Sequence, residues 1–240
     1  MKSTVEQIRE RFDNDVERFS NLETGQSATM DAPLCMTLVT SAAAAVTPQA
    51  RDLLDIGCGA GNYSLKMLQY IPNLNCTLLD LSQPMLDRAR QRVAAATNGR
   101  LTTLQADVRS ASFAPESFDI VLAAAVLHHL RTDEQWRQVF SAVFTWLRPG
   151  GSFWIFDYIE QSTPAIDRLI EQRFGEHLVQ LKGGGEAGQK YRDAVLAYVA
   201  AEDTPKPLLW QIQLLSDVGF VKLDILHKNG PFAAFGACRL

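Results

Sequence analysis

The chain has 240 residues, of which 47% are hydrophobic and 21% are charged, and its net charge at pH 7 is −4. This length and composition are typical of a soluble protein with one α/β domain and an accessory segment. The negative net charge argues against a general nucleic-acid or anionic-membrane binder. The alanine-rich run at residues 42–46 is too short to cross a bilayer, which argues against a membrane protein.

The cysteines and the N-terminus bear on the cellular compartment. The four cysteines are scattered, with no CxxC or Cys/His spacing, so the sequence predicts neither a metal ion nor required disulfides. Residues 1–11 are charged and polar, unlike a secretory signal peptide. Together these features predict a cytoplasmic protein.

Two helices are predicted before the first strand. Candidate capping boxes begin at Ser3 and at Thr4, and an apolar stripe over residues 5–19 indicates one amphipathic helix. A polar loop follows, after which Asp31 can cap a second helix. Because no strand precedes these helices, we interpret residues 1–48 as a helical cap on the main domain.

A main domain of residues 49–240 is predicted from a strand–helix alternation that begins at Asp52. Five short apolar strands, the last at residues 152–156, are separated by amphipathic helices. The fourth, at residues 118–124, is apolar apart from Asp119, as expected for a strand buried on both faces. The alternation predicts an α/β fold in which a mostly parallel sheet carries helices on both faces.

The pattern changes after the fifth strand. Residues 160–206 are predicted to form a helical insertion, with helices at residues 164–181 and 186–201 separated by three glycines. A further helix follows at residues 207–218. Two alternating segments joined by Asn229-Gly230 then predict a C-terminal antiparallel hairpin.

A glycine-rich loop, residues 55–61 (DIGCGAG), lies where the first strand meets its helix. Glycines there let the backbone approach a ligand closely, and the free N–H groups of the helix start can face an anionic group. A dinucleotide-binding fingerprint needs the spacing GxGxxG, but here the third glycine comes one residue early, at Gly61. The spacing therefore favours a compact nucleoside ligand over a ligand with a pyrophosphate bridge.

Two further acids follow neighbouring strands. Asp80 ends the second strand, about 20 residues after the loop, where a carboxylate can accept hydrogen bonds from both ribose hydroxyls. Asp107 ends the third strand, where it can accept a hydrogen bond from the exocyclic amine of adenine, although an acid there also often satisfies loop amides. The carboxyl edge of an open α/β sheet is where such folds bind ligands.

These motifs, in this order, resemble the class I S-adenosylmethionine (SAM) dependent methyltransferase superfamily. The resemblance covers about two-thirds of the chain, residues 51–151 and again residue 210 to the C-terminus. The motifs that carry it are DIGCGAG at 55–61, Asp80, Ala106-Asp107-Val108, SFDIV at 117–121 running into VLHHL at 126–130, LRPGG at 147–151 and the terminal hairpin. The resemblance implies a Rossmann-like sheet of seven strands, in which the last strand is antiparallel and lies between strands five and six.

The resemblance also implies a cofactor site for SAM, which would leave as S-adenosylhomocysteine. Asp55, the loop backbone and Ala123 would lie at the methionine half, Asp80 at the ribose, and the remaining residues around the adenine. The predicted cofactor-binding residues are Asp55, Gly57, Cys58, Gly59, Asp80, Leu81, Met85, Asp107, Val108 and Ala123.

Three residues are candidates for contact with the methyl acceptor. His128 belongs to an LHHL sequence that is frequent in the superfamily in members of differing chemistry, so a structural role for it is an equal alternative. Asp157 and Tyr158 follow the fifth strand at the edge where a substrate would lie, and helix capping or packing explains them equally well.

The sequence therefore predicts a methyltransferase that moves a methyl group in line, by an SN2 step, to a small-molecule acceptor under the helical segments. Three alternatives keep the same cofactor: a SAM-modifying enzyme related to carboxy-SAM synthase, a tRNA methyltransferase, and a non-catalytic SAM-binding module. An arginine that can hold a carboxylate in the pocket would favour the first alternative. The sequence leaves a homodimer open.

Overall fold

A seven-stranded sheet crosses the centre of the molecule in the computed structural model, which describes residues 2–21 and 27–240. The strands are β1 (Asp52–Ile56), β2 (Asn75–Asp80), β3 (Leu101–Gln105), β4 (Phe118–Ala124), β5 (Leu147–Tyr158), β6 (Val221–Asn229) and β7 (Phe232–Cys238). Their order across the sheet is β3-β2-β1-β4-β5-β7-β6, and β7 runs antiparallel to both of its neighbours. The predicted sheet, with its last strand inserted between the fifth and sixth, is confirmed.

Helices cover both faces of the sheet, as predicted. The described residues form α1 (Val5–Asn14), α2 (Val16–Ser20), α3 (Ala32–Val46), α4 (Asn62–Tyr70), α5 (Gln83–Ala94), α6 (Asp133–Trp146), α7 (Pro164–Leu181), α8 (Gly185–Glu202) and α9 (Leu208–Val218). One buried apolar cluster joins the sheet to α3, α4, α5 and α7, and a second joins it to α6 and α9. In the part of the chain that the structure describes, no helix is both long enough and apolar enough to cross a membrane.

The one acid within the apolar β4 strand ties three strands together. Asp119 accepts hydrogen bonds from the backbone N–H groups of Arg51 and Asp52, at 2.8 and 2.9 Å, which lead into β1. Its other carboxylate oxygen accepts a 2.9 Å bond from Arg148, near the start of β5. A charged residue is therefore tolerated here because it lies at the rim of the sheet with all of its partners in place.

The N-terminal segment differs from the prediction in one respect. The apolar stripe is split between α1 and α2, which are separated at Asp15, so the predicted single helix is wrong. Of the two candidate capping boxes, the one that begins at Thr4 is formed, with reciprocal bonds to Gln7. Ser3 instead donates its backbone N–H to the carbonyl of Ala201 and so attaches the N-terminus to α8. The polar loop predicted after this segment lies largely outside the described residues.

Asp31 does not cap α3 with its side chain, contrary to the prediction. Its backbone is left-handed, with φ of 56°, and its carboxylate accepts 2.8 Å hydrogen bonds from His227 and Asn229 of β6 instead. These two bonds satisfy the carboxylate in a contact between elements distant in sequence. Because α3 also shares the apolar cluster of the sheet, the boundary proposed at residue 48 stays a prediction.

The predicted helical insertion after β5 is formed by α7 and α8, whose bounds agree with the prediction within one residue. The end of α8 returns to the sheet edge, where the carboxylate of Glu202 pairs with Arg11 of α1. The backbone N–H of Thr204 then donates a 2.7 Å bond to the carbonyl of His128. The insertion and the N-terminal helices therefore close together over the carboxyl edge of the sheet.

The carboxylate of Asp55, at the end of β1, is almost completely buried. It accepts hydrogen bonds from the backbone N–H of Ser64 at 3.2 Å and from the Ser64 hydroxyl at 2.6 Å, so it anchors the first turn of α4 to the sheet. Burial raises the pKa of Asp55 to about 7, despite these two donors. The folded protein therefore holds a proton on Asp55 at pH values where the unfolded chain has released it.

We predict that Asp55→Asn changes how stability depends on pH. An unfolded aspartate titrates near about pH 4, so between about pH 4 and 7 the native state binds more protons at Asp55 than the unfolded state. The wild-type unfolding free energy should therefore fall with rising pH relative to that of Asp55→Asn, which carries no titrating group there. Urea unfolding at pH 5 and pH 7.5 measures this difference, and Asp87→Asn, on the exposed face of α5, is the matched control. Parallel pH profiles for the wild type and Asp55→Asn would contradict this account.

Candidate functional site

A cavity of about 200 Å³ lies at the carboxyl ends of β1, β2 and β3, under the first turns of α1. Five of the predicted cofactor residues meet on its wall: Gly57, Asp80, Leu81, Asp107 and Val108. They come from three different loops, and they meet because parallel strands end at one edge of the sheet.

Asp80 is held in a fixed orientation at this cavity. One carboxylate oxygen accepts the N–H of Gly59 at 2.8 Å and the other accepts the N–H of Ser82 at 2.9 Å. Burial raises the pKa of Asp80, and these backbone donors oppose that effect. Ser82 caps α5 through the N–H of Met85, so Asp80 is not needed as the helix cap. The carboxylate keeps further lone pairs for a ligand.

Asp107 has a partner that the sequence did not predict. Arg109 forms an ion pair with its carboxylate and also donates its backbone N–H to it at 2.9 Å. Burial would raise the pKa of Asp107, but the hydrogen bonds from Arg109 outweigh burial and hold that pKa below its usual range. Both residues line the cavity, so Asp107 presents to it an ionised carboxylate that is already paired with the Arg109 guanidinium.

Gly57 is required by both its conformation and its surroundings. Its φ is 64°, a left-handed value that favours glycine, and a Cβ built on it would lie 2.6 Å from the side chain of Val126. Val126 also lines the cavity. The Val126 side chain, packed against the backbone of Gly57, therefore forms one wall of the predicted cofactor site.

The structure does not bring the remaining predicted cofactor residues to the cavity wall. Asp55 is turned beneath α4 toward Ser64, while Met85 and Ala123 are buried in the protein interior. In the loop, Cys58 is also buried, and Gly59 contributes its N–H to Asp80. Of these residues, Asp55 and Gly59 contribute through their hydrogen bonds, which fix the start of α4 and the carboxylate of Asp80.

A second cavity, of about 580 Å³, lies beside the first, between α1, α2, the end of β5, and the α7–α8 insertion. Its wall is largely aromatic, with side chains supplied by Phe12, Phe19, Phe156, Tyr158, Phe174, Tyr191, Tyr198 and Phe232. The three predicted acceptor residues, His128, Asp157 and Tyr158, all lie on it. His129 lies on the walls of both cavities, so the two spaces meet at this residue.

His128 is held between two carboxylates. Its Nδ1 pairs with Asp157, which also accepts the backbone N–H groups of His128 at 3.1 Å and of Tyr158 at 2.8 Å. Its Nε2 lies 3.6 Å from a carboxylate oxygen of Asp203. Burial lowers the pKa of His128, but the charges of Asp157 and Asp203 outweigh burial and raise that pKa to about 9.

Asp203 and His129 are site residues that sequence reasoning missed. Asp203 follows α8, so only the return of the helical insertion brings it to the sheet edge, and no local pattern signals this. Nδ1 of His129 lies 3.4 Å from the same Asp203 oxygen. Burial and the neighbouring His128 charge hold the pKa of His129 well below its usual range. In the sequence, the paired histidines of LHHL are the one signal that points to His129 as a site residue.

The arginines on the large cavity are already paired. Arg11 donates to both carboxylate oxygens of Glu202 and to the hydroxyl of Tyr198, and Arg18 pairs with Asp15 at 3.3 Å. Both guanidinium groups are thus engaged by carboxylates of the protein, which disfavours the arginine–carboxylate contact expected of a carboxy-SAM synthase.

Comparison with known proteins identifies relatives of this arrangement. Residues 53–151 match the family model of the methyltransferase domain. The chain is 28% identical to the ubiquinone/menaquinone biosynthesis C-methyltransferase of Dinoroseobacter shibae, over 51% of this chain and 48% of that protein. It is 30% identical to the 27-O-demethylrifamycin SV methyltransferase of Amycolatopsis mediterranei, over 74% and 65% respectively. The crystal structure of human N-acetylserotonin methyltransferase in complex with SAM shares the fold, with a TM-score of 0.63 and 16% identity, over 99% of this chain and 60% of that one.

The chain spans about half the length of several curated relatives that it matches. The matched region contains the glycine-rich loop, Asp80, Asp107 and the LHHL turn, which together contribute most of the wall of the smaller cavity. The flanking helices that surround the larger cavity lie outside the family match. Residues 53–151 are therefore similar to the methyltransferase domain, and the fold is shared with a methyltransferase whose structure contains SAM.

Proposed function

We propose that this protein transfers the methyl group of SAM to a small, largely apolar acceptor. The observation that carries this proposal is the meeting of the two cavities at His129, one sized and lined for a nucleoside and the other lined with aromatic rings. The larger cavity, at about 580 Å³, lies within the range of roughly 300–1,000 Å³ of small-molecule sites.

The residues present fit a bound SAM. Gly57 adopts a left-handed conformation that favours glycine and packs directly against Val126, so the loop backbone itself can line the site for the methionine half. The carboxylate of Asp80 is oriented to accept hydrogen bonds from the ribose hydroxyls. Asp107 and Val108, on the same cavity wall, would contact the adenine. SAM supplies an activated methyl group on a sulfonium, so the protein's task is chiefly to hold the acceptor in line with the S–CH₃ bond.

The wall of the larger cavity would orient the acceptor. Aromatic side chains offer flat apolar faces, which favours an acceptor that contains a ring or another compact apolar body. Burial holds the pKa of Tyr158 above its usual range, so its hydroxyl stays a hydrogen-bond donor at neutral pH. Together with the His128–Asp157 pair, this hydroxyl gives the acceptor a polar end to align against. The buried, unpaired thiols are in keeping with action in the cytoplasm.

We predict that Asp80→Asn weakens SAM binding at least tenfold. The variant keeps one oxygen that can accept a hydrogen bond from the backbone, but it loses the negative charge that strengthens the hydrogen bonds from the ribose hydroxyls. A hydrogen bond to a charged acceptor contributes about 1.5–3 kcal/mol to binding. Isothermal titration with SAM measures the affinity, and Asp87→Asn is the control with the same change of charge on α5. Equal affinities in the two variants would remove Asp80 from the cofactor site, and no binding by the wild type would overturn the proposed function.

Gly57→Ala tests whether the glycine-rich loop contributes to SAM binding. The added methyl group would lie 2.6 Å from Val126, so we expect at least a tenfold loss of SAM affinity. The matched control is Gly150→Ala, because Gly150 also has a positive φ but nothing lies within 4 Å of a Cβ built on it. This variant carries only the backbone cost of about 1–2 kcal/mol in stability. If both variants bind SAM as the wild type does, the loop is a structural turn only.

Val195→Trp tests the larger cavity as the acceptor site. S-adenosylhomocysteine formation is first measured for the wild type with a panel of phenols, catechols and aromatic amines. For an accepted compound, the indole at Val195 should fill part of the cavity and raise KM at least tenfold, with the Kd for SAM changed less than twofold. Ala197→Trp, exposed on the same helix and away from the cavity, is the control. A raised Kd for SAM with unchanged KM would place the acceptor elsewhere.

Mass spectrometry of the product separates the remaining alternatives. A carboxylated SAM would identify a SAM-modifying enzyme, and methylated tRNA would identify a nucleic-acid acceptor. SAM binding without any acceptor-dependent S-adenosylhomocysteine would identify a non-catalytic module.

A further inference from the structure

Three polar atoms converge on the wall of the larger cavity. They are Nε2 of His128, Nδ1 of His129 and one carboxylate oxygen of Asp203. The Asp203 oxygen lies 3.6 Å from the His128 nitrogen and 3.4 Å from the His129 nitrogen. These separations are longer than a good hydrogen bond, so direct bonding among the three groups does not account for the arrangement.

The separations match those between ligands of one metal ion. Metal–nitrogen and metal–oxygen bonds of about 2.0–2.2 Å place neighbouring tetrahedral ligands about 3.4 Å apart. All three ligand atoms lie within 4.8 Å of one another, and the rings of His128 and His129 are inclined at 59°. A small movement of the side chains would complete the coordination shell.

Two of the groups have unsatisfied polar atoms. The Asp203 oxygen and both ring nitrogens of His129 are buried and have no hydrogen-bond partner among the described residues. Asp203 is 5% exposed. Buried polar atoms almost always have a hydrogen-bond partner. These atoms lack one and are directed at a common point, and a metal ion bound at that point would explain the arrangement.

An outer carboxylate orients one of the ligands. Asp157 holds Nδ1 of His128, which leaves Nε2 directed at the common point. This carboxylate–histidine arrangement is the usual support of a metal-bound imidazole. A divalent cation at Nε2 of His128 would replace the proton there and would balance the two buried carboxylates of Asp157 and Asp203. The nearby cations have other partners: Arg11 pairs with Glu202, Arg131 donates to Thr204, and the ammonium of Lys2 donates to the backbone carbonyl of Asp203.

We propose that His128, His129 and Asp203 bind a divalent first-row transition-metal ion, such as Zn²⁺ or Co²⁺. Two imidazoles and one carboxylate favour these ions over Mg²⁺, which prefers oxygen ligands. The open coordination positions face the larger cavity, beside the point where the two cavities meet, so the ion would hold an oxygen or nitrogen atom of the acceptor. This second role rests on the proposed function, whereas metal binding does not. The sequence predicted no metal because its third ligand lies 74 residues after the histidines.

The direct test is metal titration of the full chain after treatment with a chelator. Isothermal titration with Zn²⁺ should give one site per chain, and Co²⁺ should give visible absorption bands of a four- or five-coordinate ion. Mg²⁺ at the same concentration should not compete. Wild-type protein that gives no Co²⁺ bands and no Zn²⁺ site would overturn the proposal without recourse to any variant.

Variants then locate the site. His129→Ala and Asp203→Asn should lose at least tenfold in Zn²⁺ affinity and lose the Co²⁺ bands, and Asp157→Asn should lose about 10–100-fold as an outer-shell change. His177→Ala, on α7 and away from the cluster, is the matched control for surface histidines. Circular dichroism checks that each variant is folded. Zn²⁺ affinity that falls equally in His177→Ala, or in none of the folded variants, would contradict the site.

Separate measurements test the metal site and the proposed function. SAM titration of metal-free protein tests the function alone, because the cofactor residues Asp80 and Gly57 are not ligands of the ion. Metal binding with unchanged acceptor KM in the metal-free protein would remove the role in acceptor binding while leaving the ion. Loss of metal with an at least tenfold rise in acceptor KM would support both parts.

Discussion

The hydrogen bonds of the Asp157 carboxylate are the interaction on which the rest of the site depends. This buried group, near the end of β5, accepts hydrogen bonds from the backbone N–H groups of His128 and Tyr158. It also pairs with Nδ1 of the His128 ring. It therefore fixes the short turn Leu127–His129 against the sheet. Both cavities share that turn, since His129 lies on the wall of each. A buried carboxylate is costly unless it is bonded in this way, and here its bonds also define the site.

The insertion and the N-terminal helices turn this edge into an enclosed space. The ion pair of Arg11 with Glu202 joins α1 to the end of α8, and Thr204 bonds back to the carbonyl of His128. These contacts link three segments far apart in sequence, and they bring Asp203 to the histidine pair. The proposed cofactor site is thus built on the sheet edge, whereas the proposed acceptor site depends on the segments added to that edge.

Much of the fold follows from local signals in the sequence. Periodicity, capping residues and the β–α alternation predict a mostly parallel sheet with helices on both faces, because each depends on residues near one another in the chain. The place of the last strand between the fifth and sixth was implied by the family resemblance instead. The acids at strand ends could be placed at one edge from these local signals as well, which brought Asp80 and Asp107 together. Contacts between distant segments could not be predicted this way. Asp31 bonds to β6 rather than capping α3, and Asp203 reaches the histidine pair from the end of the insertion.

We propose above that the cofactor lies in the smaller cavity with its methyl group directed at the larger one. A crystal structure of the full chain with S-adenosylhomocysteine tests this placement. We expect the ribose at Asp80, the adenine beside Asp107, and the sulfur facing the aromatic cavity next to His129. A ligand bound outside the smaller cavity, or a sulfur directed away from the aromatic wall, would contradict it.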